Sequence, residues 1–220
     1  MTRERRDRIV DITRPLAPTT AAWPEDTPFA LAWTWAIERG DACSVSRWTL
    51  SPHVGTHVDA PRHYLADGAD VAALPLDRLC GPAEVADLRG VPALDPRTLA
   101  ARVRGTAPRL LVRTLEGVDP RIFVRDYPPL TPDGARWLVE RGVVAFGTDA
   151  PSVDPVDSKT LDAHRILGAA GVPILENLEL GHVPPGTYRL LALPLRVPDA
   201  DASPVRAVLW EEPGAEEANL

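Results

Sequence analysis

Three of the five histidines in this 220-residue chain fall in one short segment, His53-Val54-Gly55-Thr56-His57-Val58-Asp59-Ala60-Pro61-Arg62-His63. Closely spaced imidazoles and a carboxylate are the donor set of a borderline-soft divalent ion such as zinc. The segment is no helical zinc motif, because Gly55 and Pro61 interrupt it and Pro61 holds Ala60 extended. Read as extended chain, His53, His57 and Asp59 share one parity and project from one face. Gly55, between two histidines, allows a bulge or a close approach of backbone to an ion. The segment therefore offers half of a metal site. The competing reading is a surface loop in which Asp59 is a turn former.

Further ligands must come from elsewhere in the chain. His164 lies in a helix expected after Ser158, on the face of Leu161, Leu167 and Gly168, where an ordinary core histidine could also sit. Between Gly171 and Leu180, alternation puts Glu176 beside Ile174, Leu178 and Leu180, with Glu179 on the other face. A carboxylate on an apolar face needs a partner, because burying it alone is costly. A metal would serve, and so would an arginine such as Arg113 or Arg189. Trp23 reads either as a pocket wall or as a loop residue covering the core. His182, in an apparent turn, is expected to face solvent.

The elements that must position these groups are mostly strands. Val85–Leu88, Arg109–Arg113, Val143–Phe146, Tyr188–Leu193 and Val205–Leu209 are short apolar runs bounded by Gly, Pro or polar residues. Three helices are marked by their caps. Thr131-Pro132 opens one that stops at Gly142, Asp95-Pro96 opens one reaching about Val103, and Ser158 precedes one running from Lys159 to Ala170. Interleaved strands and helices predict an α/β fold: a single compact domain spanning residues 1–220, with a mostly β centre and flanking helices. The length leaves room for an inserted hairpin or arm.

Composition narrows the functional classes. The formal net charge is −7 without a block of like charges, which argues against a nucleic-acid surface. The charged start, Met1 to Arg8, carries no apolar run behind it, and no stretch reaches the roughly 18 apolar residues of a membrane span. Cys43 and Cys80 are too few for a disulfide framework and lack metal-ligand spacing; they are read as reduced, buried thiols of a cytoplasmic protein. Neither a nucleophile elbow nor a glycine-rich phosphate loop is present, which leaves little support for a serine hydrolase or a nucleotide enzyme.

Several separated blocks resemble the metal-dependent cyclase-like hydrolases, and within them the bacterial kynurenine formamidases (arylformamidases). The likeness runs from about Ile9 to Trp210. Its blocks are Trp23-Pro24-Glu25-Asp26, Ser51 to Tyr64, Asp149 to Pro155, Ser158 to His164, Ile174-Leu175-Glu176, and Leu191 to Leu195 with Asp201 to Leu209. The resemblance implies two divalent metal ions per chain, Zn2+ with Mn2+ as the alternative. His53, His57 and Asp59 would hold one, and Asp59 would bridge to a second held by His164 and Glu176. It further implies that His63 is the proton donor and acceptor, that Trp23 lines the substrate pocket, and that the protein is a homodimer.

The implied reaction is hydrolysis of N-formyl-L-kynurenine to L-kynurenine and formate in tryptophan degradation, through a metal-bound hydroxide. A sister enzyme acting on another cyclic or aryl amide (isatin-like), or on a lactone, is the alternative. A non-catalytic metal-binding protein is the alternative from another class. The sequence departs from the family pattern at Glu25, where the family carries glycine, at Arg165, where the formamidases carry a second histidine, and at Asn177-Leu178-Glu179, which resembles the wider family.

Overall fold

A computed structural model describes residues 9–210; the charged start read from the sequence lies outside the described residues. Eleven strands follow in chain order: β1 (Ile9–Asp11), β2 (Ala30–Trp35), β3 (Val45–Thr49), β4 (His57–Asp59), β5 (Cys80–Asp87), β6 (Arg109–Arg113), β7 (Ala145–Thr148), β8 (Ile174–Glu176), β9 (Gly186–Leu191), β10 (Ala202–Pro204) and β11 (Val208–Trp210). The helices are α1 (Pro96–Arg102), α2 (Pro132–Glu140) and α3 (Asp162–Ala169).

Nine strands form one sheet in the order β1-β11-β9-β5-β6-β7-β8-β4-β10. Its middle, β5-β6-β7-β8, is parallel, and each step is bridged by one helix. These central strands are apolar on both faces because both are covered. Leu110, Val112, Phe146 and Ile174 pack with α1, α2 and α3, while Val85, Leu111 and Leu175 face a second cluster with Val58, Leu190 and Leu209. The sheet curls around that second cluster. The chain leaving β1 accepts from Glu179 N at Ile12 O (2.8 Å), while Ile12 N donates to Ala207 O (3.0 Å), so one chain segment ties the β8 side to the β11 side. This is the expected single α/β domain.

The cap signals held at α1 and α2, where Asp95 accepts from Thr98 N and Thr131 Oγ1 from Gly134 N. Three expectations need correction. The helix expected from Lys159 starts only at Asp162, because Leu161 turns left-handed (φ 50°) and the first-turn donors Ala163 N and His164 N go to the Asp154 carboxylate. The run Val205–Leu209 is not one strand. Val205 bridges Pro194 beyond the end of β10, and β11 begins only at Val208. The expected arm exists: β2 and β3 pair only with each other and leave Trp33 53% and Trp48 60% exposed. Cys43 and Cys80 are free and exposed, not buried as expected. Among the described residues no helix is long and apolar enough to cross a membrane.

Candidate metal centre

Strand pairing assembles the site. β4 runs antiparallel to β8 with His57 directly opposite Glu176 and Asp59 opposite Ile174, so His57, Asp59 and Glu176 share the helix-side face. Val58, between them, points into the opposite cluster. α3 then brings His164 over this face. That approach depends on Gly168, where an added Cβ would lie 2.2 Å from the Tyr64 ring. His53 does not lie on β4. Gly55 adopts φ 72°, and the turn it permits folds His53 back to a ring distance of 5.0 Å from His57. Strand parity thus places His57 and Asp59 on one face, whereas for His53 it is the Gly55 turn, not the strand, that brings its ring to them.

Asp59 is the centre of the cluster. Its carboxylate lies 3.1 Å from His53 Nδ1, 3.3 Å from His57 Nε2 and 3.4 Å from His164 Nε2. Glu176 adds contacts of 3.5 Å to His57 Nε2 and 3.3 Å to His164 Nε2. None of the Asp59 or His57 Nε2 contacts has hydrogen-bond geometry: both Asp59 oxygens and His57 Nε2 are buried without a hydrogen-bond partner. Lone pairs brought this close with no proton properly shared between them fit a cation among them. The donor atoms form two buried-side triples, His53-His57-Asp59 and Asp59-His164-Glu176, with Asp59 common to both, and a third, His53-His63-Asp201, nearer the surface; each spans no more than 4.8 Å.

The far side of each imidazole is held. His57 Nδ1 donates to Gly55 O (2.9 Å), His164 Nδ1 meets Asp154 Oδ2 (2.6 Å) and His53 Nε2 meets Asp201 Oδ2 (3.0 Å). Such partners fix ring orientation and leave the inward nitrogen as the basic one. The electrostatics favour positive charge here. Burial pushes the Asp59 carboxyl up, but His57 and the two other imidazoles outweigh it and hold it well below the usual carboxylate range. Burial pulls His57 down, yet Asp59 and then Glu176 raise it to about 9. His53 is likewise raised to about 10, by Asp201 and Asp59 against burial.

A cavity of about 300 Å³ opens beside the cluster and is walled in part by His53, His63, His164, Glu176, Trp23 and Phe123. Trp23 meets Phe123 edge-on at 5.1 Å. His63 closes a short turn after Pro61, 4.2 Å from the His53 ring, with Nδ1 3.5 Å from Asp201 Oδ2. Burial pushes its imidazole below the ordinary value. All seven residues singled out in the sequence thus line the cluster or its cavity.

The sequence profile of the family described as "Putative cyclase" matches residues 10–155. The chain belongs to the cyclase family. Solved structures of similar chains agree in fold. One described as a potential metal-dependent hydrolase with cyclase activity is 28% identical with a TM-score of 0.81, covering 94% of this chain and 100% of its own. A predicted metal-dependent hydrolase from Bacillus stearothermophilus is 26% identical at a TM-score of 0.80, over 94% and 100% of the two chains. Isatin hydrolase A from Labrenzia aggregata, bound to benzyl benzoate, is 25% identical at a TM-score of 0.77, over 93% of each chain. Within this cyclase-family chain, His164 and Glu176 lie beyond the residues the profile matches, and the fold brings them back to Asp59.

Sequence reasoning did not single out Asp154 and Asp201, which hold ligand rings, or Phe123 and Arg14, which line the cavity. Asp154 and Asp201 stood inside the blocks that carried the family likeness, but nothing in their neighbourhood gave them a role. His182 is exposed and apart from the site, as expected. Glu176, for which a metal or an arginine was the expected partner, meets His57 and His164 and accepts from Val153 N (2.9 Å). Arg165 is exposed and donates to Thr160 O (2.7 Å), so it takes no place in the cavity wall.

Proposed function

We propose that this cyclase-family chain is a metal-dependent hydrolase that cleaves the amide of N-formyl-L-kynurenine. One observation carries the reading: a fully buried Asp59 without hydrogen bonds, faced by three imidazoles beside Glu176, behind a cavity whose wall includes His53, His164, Glu176 and His63. His53, His57 and Asp59 hold one divalent ion, and Asp59, His164 and Glu176 hold the second. The imidazole-rich donor set suits zinc, with manganese as the alternative. When bound, these ions supply polarisation of the amide carbonyl and a water acidic enough to attack at neutral pH.

The chain's own groups do the rest. Gly55 O, Asp154 and Asp201 keep the three ligand rings turned inward. His63 faces Asp201 with Nδ1, so its Nε2 is the nitrogen that hands a proton to the departing amine as the C–N bond breaks. The depressed basicity of His63 suits a group that must both take and give a proton near neutrality. Trp23 and Phe123 wall the aryl ring, and the buried setting keeps bulk water from the reacting carbon. The six large apolar side chains exposed on and beside the β2–β3 arm, Leu31, Trp33, Trp35, Ile37, Val45 and Trp48, support a homodimer, since a monomer rarely shows such a patch to water. Light scattering of the wild type and of Trp33→Glu/Trp48→Glu tests this; a wild-type monomer would rule it out.

The likeness to isatin hydrolase A supports a second reading, opening of a neutral cyclic amide. Assay of the zinc-loaded protein on N-formyl-L-kynurenine and on isatin, each with a chelated control, separates the two. Chelator-sensitive turnover of the formamide is expected. Turnover of isatin alone moves the protein to the second reading, and no turnover of either with two ions bound per chain defeats both.

A further inference from the structure

Arg14 is a buried cation in the wall of the same cavity, and nothing in the metal chemistry uses it. It is 6% exposed. Its main-chain N donates to Thr56 Oγ1 (2.9 Å), and Thr56 Oγ1 donates to Asn177 O (2.6 Å), so the residue is clamped beside both His57 and Glu176. Nη1 donates to Asn177 Oδ1 (2.6 Å) and Nη2 to Asp149 O, while Nε is buried without a partner. Both acceptors are neutral.

The Asp149 carboxylate, the natural counterion, is turned away and occupied by Thr114 N, Thr114 Oγ1 and Leu115 N. Among the described residues no carboxylate makes an ion pair with Arg14. Burial pulls its guanidinium down to about 10, with Asp149 and Glu179 opposing from a distance, so it remains charged at neutral pH. A desolvated guanidinium held by neutral acceptors is strongly complementary to an anionic oxygen. Asn177 shares the wall and sits at φ 57°, a left-handed conformation that asparagine tolerates better than most residues and that accompanies the hydrogen bond of its amide to Arg14.

We propose that Arg14, oriented by Asn177, is a specificity-determining residue that recognises a carboxylate on the substrate, so that the cavity prefers aryl amides carrying an anionic arm over neutral ones. The proposal rests on the hydrolase reading and sharpens it, because N-formyl-L-kynurenine bears such a carboxylate and isatin does not. The bland alternative is a purely structural clamp tying the chain after β1 to Asn177. A clamp contributes stability but has no preference for ligand charge.

The test compares binding of two ligands that differ by one carboxylate, L-kynurenine and its decarboxylated amine kynuramine, to the zinc-loaded protein by titration calorimetry. The wild type is expected to bind kynurenine more tightly. Arg14→Gln should weaken kynurenine by roughly tenfold or more while leaving kynuramine within about twofold, and Arg14→Lys should lie between. Equal weakening of both ligands, or of neither, overturns the proposal. If Arg14→Gln does not fold, absence of a wild-type preference for kynurenine overturns it alone. Failure of the hydrolase reading looks different: no turnover of any amide, with an Arg14-dependent preference for kynurenine intact.

Discussion

Asp149 and Asp59 are both aspartates at the C-terminal ends of sheet strands, both almost wholly removed from water, and the chain treats them oppositely. Asp149 accepts from Thr114 N at 2.8 Å, from Thr114 Oγ1 at 2.6 Å and from Leu115 N at 3.0 Å. Asp59 receives no hydrogen bond at either oxygen and instead looks at three imidazole nitrogens. A carboxylate that exists for the fold is supplied with donors by the fold. Asp59 is given no such donors, and the groups that face it are themselves potential metal donors, an arrangement that fits a cation.

The sharpest way to break the contrast is to remove Asp59. Asp59→Ala should abolish binding of both ions, measured by metal analysis after dialysis, and lower turnover on the order of a thousandfold or more, roughly 4 kcal/mol of barrier. Retention of one ion would show that Asp59 does not serve both triples. His63→Ala tests the other half of the site. It should keep both ions and lower kcat by about a hundredfold to ten-thousandfold, the usual reach of a positioned acid–base. Loss of metal would make His63 a ligand. On the structural side, Asp149→Ala should cost about 3 kcal/mol in urea unfolding, because it strands buried donors, and the loss should be the same with and without chelator.

These experiments also measure how far the sequence could be read. His53, His57, Asp59 and His63 were legible as candidates because they crowd into one local segment, where spacing alone suggests convergence. Glu176 was legible as a carboxylate on an apolar face, but its partner was not, since the choice between metal and arginine depends on how β8 pairs with β4. Asp154 and Asp201 gave no signal. Asp201 reaches the His53 ring from far along the chain and Asp154 reaches His164 across the irregular turn before α3, placements that periodicity does not encode. The same holds for the fold: caps located α1 and α2, but the left-handed Leu161 and the cap from Asp154 displaced the start of α3, and the run 205–209 hid a break between two strands. Asp154→Ala tests the value of this second layer. It frees the His164 ring and should weaken metal binding about tenfold to a hundredfold, read by competition with a chromophoric chelator. Unchanged affinity would mean that α3 packing alone aims His164.

The smallest expected effect lies at the cavity rim, where the chain tolerates a local cost comparable in kind to bare Asp59. Glu25 occupies φ 72°, a left-handed conformation that a side chain disfavours and glycine adopts freely. A glycine would adopt this turn freely, and the loop keeps the turn despite the glutamate, with Trp23 in the cavity wall beside Phe123. Relieving the conformation by Glu25→Gly should stabilise the protein by about 1 kcal/mol in urea unfolding, less the entropy that glycine gives the unfolded chain. Metal content should not change, because none of the candidate ligands lies on this loop. If stability falls instead, the Glu25 side chain makes a compensating contribution that outweighs the backbone strain. If stability rises but turnover drops, the strained turn is part of what holds Trp23 against the substrate, and the rim joins Asp59 as a place where the fold gives up stability to the site.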